Sequence, residues 1–388
     1  MFYYLSFLRP PPQRAIPSGP VTVTPQLAND LRTELLDQTH DIYYSWSLVT
    51  TESSSSGHLS FPAITKPRKL TTWRRDNAYK EMLVPSPLGV RDGQSYSLVL
   101  TTHDQGHPHV INLAGPSCGV RPFPLISQPI LFSSRGRQDA GKQERIQRVY
   151  RLPTTPASQV FLRVTEQTSF DLDKKIWDSG IGLSGWLSDL SSGSIEGEHT
   201  HDLRRRLFDS PSADILELGA GTGIVALAFG ALLSAATRSS GCIITTDLAS
   251  AMPLLEHNVT QNESLFTCIN TRPRPVVLDW DDETLPDEVG SVRGGFDVIV
   301  MADVTYNTAS FPALVSTLEK VISLHNPSQK SEPPLILLGY KERDAAERTL
   351  WEMVREIGVE FTQVGERTGA GGPPIEVWLG HVLQQPVP

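Results

Sequence analysis

Cysteine is almost missing from this chain: Cys118, Cys242 and Cys268 are the only three in 388 residues. They cannot build a disulfide framework and lack the paired spacing of a zinc site, which fits a reducing interior and points to a cytoplasmic, and also nuclear, location. No apolar run approaches the roughly 18 residues that a membrane-spanning helix needs, so no membrane partner is expected. The apolar opening Met1-Phe-Tyr-Tyr-Leu-Ser-Phe-Leu8 has no preceding basic segment and no small-residue cleavage site, and reads as an ordered strand or short helix rather than a secretory signal. What is present, 39% hydrophobic and 20% charged residues, is the composition of a globular protein, and the length suggests two domains.

Charge is unevenly spread. Residues 1–158 carry 17 basic against 11 acidic residues, a net +6, whereas residues 159–388 carry 17 against 32, a net −15. The acidic half disfavours a nucleic-acid backbone as ligand and favours a cationic partner, while the basic half suits an acidic surface. Arg204-Arg-Arg206 and Trp73-Arg-Arg75 read as solvated surface. His103, His107 and His109 lie in turn-rich text with no regularly spaced acid or cysteine partner, so no metal is expected.

Residues 1–158 form the first expected domain, a β-rich module. Short alternations at Val21–Thr24, Ile42–Trp46, Tyr96–Leu100 and Val110–Leu113 predict strands, and the spacing from Leu27 to Leu36 predicts one helix. Thr50–Gly57 and Ser133–Gln147 read as loops. The second expected domain, 159–388, opens with a strand at Val160–Val164, then a helix carrying Leu183, Trp186, Leu187 and Leu190, and a polar loop from Ser191 to Asp209. Beyond it apolar strands at Ile215–Leu218, Cys242–Thr246, Val276–Leu278, Phe296–Met301 and Leu335–Leu338 alternate with helices. That alternation is the mark of a parallel sheet covered on both faces. Phe361–Val364 and Ile375–Leu379 close it as an antiparallel hairpin.

The strongest chemical signal is Ile215-Leu-Glu-Leu-Gly-Ala-Gly-Thr-Gly-Ile224, a strand that runs into a triple-glycine turn opening a helix. Glycines remove side chains where backbone must bend sharply and lie against a ligand. A dinucleotide fingerprint needs Gly or Ala at position 224, occupied here by Ile224, and a P-loop needs Gly-Lys-Ser/Thr after the glycines, so both patterns fail. Glu217 would set a carboxylate beside a cationic amino-acid group. Asp247, ending the next strand, is placed to accept from ribose hydroxyls. Together they ask for a nucleoside that bears an amino acid. A turn-stabilising role for Glu217 and a helix cap for Asp247 are the structural alternatives.

These residues resemble the seven-β-strand methyltransferases that use S-adenosylmethionine, and more narrowly the protein-lysine methyltransferase branch called methyltransferase family 16. The narrower marks are Ile176-Trp-Asp-Ser-Gly180, Leu254-Leu-Glu-His-Asn258, Leu278-Asp-Trp280 and Ala302-Asp-Val-Thr-Tyr306. The resemblance, over residues 160–380, implies an α/β fold: a doubly wound, seven-stranded Rossmann-like sheet with a closing antiparallel hairpin. It implies that Glu217, Gly219 and Gly221 line the methionine part of the cofactor, that Asp247 holds the ribose, that Asp279 and Trp280 sit at the adenine, that Trp177 stands at the cofactor and substrate entrance, and that Gly223 and Ala302 also bind the cofactor. Trp177 and Trp280 are equally readable as buried structural tryptophans.

The resemblance further implies Asp303 and Tyr306 as catalytic residues, at the strand end where an open parallel sheet binds ligands. The implied substrate is a protein bearing a target lysine; separately, the charge split suggests substrate docking as the role of the β-rich module. A lysine amine, with a reference pKa of about 10.4, arrives protonated and must lose a proton before it attacks, and a carboxylate near 3.9 is a poor base for that step. Positioning by Asp303 and Tyr306 is the expected contribution. A small amine or another protein nitrogen as acceptor, and a binding module without turnover, remain the alternative readings.

Overall fold

The computed structural model describes residues 1–49, 64–134, 141–155, 158–169, 171–195, 197–236 and 240–383. Two compact units divide the chain, one of residues 1–112, 117–151 and 163–172, the other of residues 113–116, 152–162 and 173–388.

Among the described residues the first half is strands and turns with one short 3-10 helix, Arg75–Asn77. It runs β1 (Tyr4–Arg9), β2 (Arg14–Ala15), β3 (Val21–Ala28), β4 (His40–Leu48), β5 (Arg68–Trp73), β6 (Met82–Val84), β7 (Ser95–Thr101), β8 (Val110–Asn112), β9 (Leu125–Ser127), β10 (Ile130–Phe132), β11 (Arg145–Thr155) and β12 (Ser158–Gln167). Among the described residues β1, β3 and β6 form one sheet, and the other nine strands form a second with β12 and β11 at one side. Leu5, Leu27, Trp46, Leu98 and Phe132 are among its buried core.

Three expectations for this half are corrected. No helix spans Leu27–Leu36. Leu27 lies in the last two residues of β3, and Leu36 returns to it, its N–H donating to the Leu27 carbonyl at 3.0 Å. Asn29 makes the turn, its side-chain oxygen accepting from the N–H groups of Thr33 and Glu34 at 3.0 and 3.2 Å. An Asn side chain that binds its own backbone competes with a helix, and here it outweighs the apolar spacing. Val160–Val164 does not open the parallel sheet but belongs to β12 of the β-rich sheet. The loop expected at Ser133–Gln147 ends earlier, since Arg145 starts β11; residues 135–140, like Thr50–Gly57, lie outside the described residues.

Arg148 on β11 anchors this unit. Its buried guanidinium pairs with Glu166 of β12 at 2.6 Å, donates to the carbonyls of Phe123, Pro124 and Leu5, and lies 5.2 Å from the ring centre of Tyr4.

The second unit carries α1 (Asp178–Ser191), α2 (Glu198–Arg204), β13 (Ser212–Leu218), α3 (Ile224–Ala235), β14 (Ser240–Asp247), α4 (Met252–Gln261), β15 (Arg274–Val277), α5 (Asp287–Gly290), β16 (Val298–Ala302), α6 (Phe311–Ile322), β17 (Leu335–Tyr340), α7 (Thr349–Glu356), β18 (Val359–Arg367) and β19 (Ile375–Val382). The sheet order is β15-β14-β13-β16-β17-β19-β18, with β19 antiparallel to its neighbours and the other pairs from β15 to β17 parallel. The chain order reverses between β13 and β16, the position at which doubly wound sheets open a ligand crevice. The apolar strands pack against α6 and α7 through Leu216, Ile299, Ile336, Leu314, Leu318 and Leu350.

The polar loop expected from Ser191 to Asp209 is also corrected. It contains α2, continued by one π-helical turn over Arg205–Asp209, because Leu203 and Leu207, four apart in otherwise polar text, are both fully buried.

Replacing Arg148 by Ala breaks its buried pair with Glu166 and removes a side-chain donor from three carbonyls, a loss of about 3–5 kcal/mol. Urea denaturation followed by circular dichroism measures it. The double replacement Arg148→Met with Glu166→Leu is expected to recover the part of that loss that comes from the broken ion pair.

Candidate active site

β13 ends at Leu218, and the glycine turn carries the chain into α3. Gly219 and Gly223 both take left-handed backbone, φ +71° and +79°, which a side chain would strain. Space matters as much as angle at Gly219, where a Cβ would stand 2.9 Å from Val304 Cγ1 and 3.3 Å from Trp280 Cζ2. Backbone therefore lies directly against the edge of the Trp280 ring. Gly221, at φ +55°, runs beneath the carbonyls of Asp173 and Lys175.

Asp247, at the end of β14, fastens this turn. One carboxylate oxygen accepts from Gly221 N–H at 2.6 Å and the other from Leu248 N–H at 2.7 Å. A carboxylate has about four acceptor positions, so both oxygens keep capacity for hydroxyl donors. Burial, outweighing these two bonds, raises its pKa, and Asp173 adds to the rise. Asp173 itself accepts from Ser250 Oγ at 2.8 Å. Glu217 faces inward. Its carboxylate accepts from Thr245 Oγ1 at 2.5 Å, and burial, with the charge of Asp247, pushes its pKa up to about 7.

Asp279 is exposed and stabilises the turn after β15 by accepting from Asp281 N–H at 3.1 Å. Trp280 is partly buried, its carbonyl accepting from Thr317 Oγ1 at 3.2 Å. Ala302 ends β16 beside Gly339.

Trp177, Asp303 and Tyr306 are brought together from distant parts of the chain. Trp177 precedes α1, and its ring lies parallel to that of Tyr306 within 3°, with centroids 6.4 Å apart. Tyr306 is 52% exposed and feels the charges of Asp247 and Asp173, so the aromatic pair stands within electrostatic reach of the glycine turn. Burial is the larger cause of its raised pKa. Asp303 is buried, and its φ of +57° is a conformation that only Gly, Asn and Asp adopt with ease. Its Oδ2 accepts from Ser179 N–H of α1 at 2.6 Å, while its Oδ1 lies 2.7 Å from Arg343 Nη2. That second contact is one of charge, since Oδ1 receives no aligned hydrogen bond among the described residues.

The segment after β17 went unnoticed in the sequence. Lys341 is buried and pairs at 2.8 Å with Asp178, which is fully buried in the first turn of α1. Arg343 joins Asp303, and its guanidinium carbon lies 5.3 Å from the ring centre of Trp177. The signal was available: Lys341-Glu-Arg343 follows the wholly buried strand Leu335–Tyr340 at the ligand edge of the sheet.

The residues present fit the adenosyl sulfonium that the glycine motif asks for. A side-chain-free turn, a carboxylate with acceptor capacity at the tip of the second strand, and aromatic rings to face a diffuse cation converge on one edge. Fold and site define an S-adenosylmethionine-dependent methyltransferase. The family model for lysine methyltransferases matches residues 157–357, more than half of the chain, and the protein belongs to that family.

Its relatives agree. The chain is 28% identical over 184 residues to the protein-lysine N-methyltransferase EFM6 of Saccharomyces cerevisiae, covering 46% of this chain and 71% of that protein. It is 26% identical over 162 residues to EEF1A lysine methyltransferase 3 of Xenopus tropicalis, covering 41% and 57%. Protein N-lysine methyltransferase METTL21A of Danio rerio is 31% identical over 149 residues, 38% of this chain and 55% of the relative. The chain thus spans little more than half the length of the last two. Among solved structures, Aeropyrum pernix fibrillarin with bound S-adenosyl-L-methionine is similar at a TM-score of 0.35 and 13% identity, over 73% of this chain and 93% of that one.

The buried Glu217 sets a pH test. Between its ordinary value of 4.5 and about 7 the folded protein keeps a proton that the unfolded chain has released, so this group's contribution to stability falls as pH rises through that window and is level above it. Glu217→Gln keeps the shape without the titration. Its melting temperature is expected to match the wild type near the lower end of the window and to exceed it by several degrees above the upper end.

Proposed function

We propose that this protein transfers a methyl group from S-adenosylmethionine to the side-chain nitrogen of a lysine in a protein, with Asp303 Oδ1 as the atom that holds the acceptor nitrogen. One observation carries this reading: at the ligand edge, a buried carboxylate oxygen with no aligned hydrogen bond lies in the motif that also supplies Tyr306, stacked on Trp177. When bound, S-adenosylmethionine supplies a methyl group on a sulfonium, electrophilic toward a neutral amine.

The protein's part is positioning. Asp247 and the glycine turn seat the nucleoside end, and the Trp177 and Tyr306 faces favour positive charge without donating hydrogen bonds from their rings. Asp303 is held rigidly by Ser179 N–H, so its remaining oxygen points one way only. A hydrogen bond accepted there fixes the acceptor nitrogen and aligns its lone pair, which is where a gain of orientation arises. Proton loss goes to water at the half-exposed Tyr306 mouth, and the contribution of Asp303 is to orient the nitrogen.

The name of the Xenopus relative, EEF1A lysine methyltransferase 3, makes EEF1A the first protein to try as acceptor. Incubation of the purified chain with labelled S-adenosylmethionine, EEF1A and a cell lysate, followed by mass spectrometry, is expected to place the label on a lysine of a protein. Label recovered only in small molecules would overturn the reading.

Two substitutions separate the roles. Asp303→Asn keeps an acceptor for Ser179 N–H but loses the charge. Turnover should drop roughly a hundredfold with cofactor affinity nearly unchanged. Asp247→Asn should raise the cofactor dissociation constant at least about tenfold by calorimetry, having disturbed the turn and the hydroxyl acceptor together.

A further inference from the structure

The β-rich unit carries two adjoining cavities that the reaction at the sheet edge does not use. One, of about 580 Å³, is polar, and among its walls are His40, Asp41 and Tyr43 of β4, His103 and Asp104 of the segment after β7, and Arg121. The other, of about 340 Å³, is largely apolar, with Pro108, Val110, Ile111, Val120 and Phe123 in its walls. His103 and Arg121 line both, so the two are halves of one groove.

The polar half is suited to an anion. Asp41 is already engaged, lying 2.7 Å from Lys69 Nζ and accepting from Thr72 Oγ1 at 2.7 Å. Asp104 stands exposed on the rim, where water screens its charge. Arg121, by contrast, has no ion pair or hydrogen bond among the described residues. The Nδ1 of His103 is buried and likewise without a hydrogen-bond partner among them. Burial, and after it the charge of Arg121, lowers the pKa of both His40 and His103 against the opposing effect of Asp41 and Asp104, so each ring is neutral at neutral pH and carries one N–H to donate. An exposed arginine by itself holds a carboxylate weakly. A guanidinium fork with two imidazoles and the Tyr43 hydroxyl around the same cavity is a stronger receptor for one.

The apolar half is suited to extended chain. Its wall includes β8, which pairs with β11 alone among the described residues, so the other edge of β8 has no strand partner there. Val120 beside it is 59% exposed. A strand edge next to an apolar slot grips an extended peptide in two ways, main chain along the edge and one side chain in the slot. A nucleic-acid phosphate would meet the same guanidinium but leave the slot empty.

We propose that this groove docks an extended segment of the protein acceptor in which an acidic side chain neighbours an apolar one, the carboxylate held by Arg121 and the two histidines and the apolar side chain seated in the slot beside β8. The inference rests on the reading that the acceptor is a protein. It gives the net +6 charge of residues 1–158 a location and a purpose. Selection between acceptors then depends on sequence away from the target lysine.

The test is fluorescence anisotropy of a dye-labelled hexapeptide, Gly-Ser-Glu-Leu-Ser-Gly capped at both ends, titrated with the full chain in the absence of cofactor. Binding is expected to be about tenfold tighter than that of the same peptide with Gln for Glu or with Ser for Leu. Arg121→Gln, at an exposed position, should erase the preference for Glu and keep that for Leu, and Val120→Asn should do the reverse. With labelled S-adenosylmethionine and a cell lysate, Arg121→Gln should lower kcat/KM for the protein acceptor about tenfold, through KM. Absent or equal binding of the three peptides, a Glu preference that survives Arg121→Gln, or an acceptor KM unmoved by that substitution would each overturn the proposal. So would displacement of the peptide by inorganic phosphate with no preference for Leu, which would make the groove a bare anion site, or self-association lost in Arg121→Gln, which would make a second copy of this chain the occupant. A lysate that takes up no label would instead strike the protein-acceptor reading, while the peptide series still decides what the groove binds.

Discussion

The hydrogen bond from Ser179 N–H to Asp303 Oδ2, 2.6 Å long, is the constraint on which the site depends. The first N–H groups of any helix have no partner within the helix, and the positive end of its dipole gathers there. Here the partner comes not from a neighbouring cap residue but from 124 positions away, at the end of the fourth parallel strand. Trp177, which occupies the N-cap position, makes no side-chain cap hydrogen bond, so its ring is left to stack on Tyr306. One bond thus fixes the entry of α1, the left-handed turn at Asp303 and the separation of the two aromatic rings.

Around that bond the protein spends stability on charge. Asp178 with Lys341, Asp303 with Arg343, and the carboxyls of Glu217 and Glu347 are all buried at or near the ligand edge. Buried ion pairs of this kind contribute little net stability, because desolvation offsets attraction, but breaking one partner is costly. Such an edge holds its geometry firmly and responds sharply to an added or removed charge. Both properties suit a reaction in which a cationic acceptor must be attracted, oriented and then deprotonated. The β-rich unit uses the same device for a different end. Arg148, with Glu166 and three carbonyls, joins strands.

Much of this was legible in the residues. Continuous apolar runs such as Leu335–Leu338 marked strands buried on both faces, and the triple-glycine turn marked the ligand edge, because both signals are local and depend on a few consecutive residues. Local competition defeated the reading elsewhere. Leu27 and Leu36 have helical spacing but are the pinched ends of a turn built by Asn29, and Leu203 and Leu207 hid a helix inside a polar stretch. Lys341 and Arg343 escaped notice because charged residues after a strand are ordinarily solvated, and nothing in their own neighbourhood reveals burial.

The amino-acid sequence by itself determined the alternation of strands and helices, the side-chain-free turn at Gly219 to Gly223 and the identity of the acidic residues at the strand tips, since propensity, periodicity and glycine sterics act over a few residues. Only the tertiary structure decided the partners of those acids. Asp303 meets Ser179 and Arg343, and Asp178 meets Lys341 across 163 positions, because the sheet order brings the ends of β16 and β17 beside the start of α1. A carboxylate's role follows from which donors surround it once water is excluded, and that set is assembled by the fold.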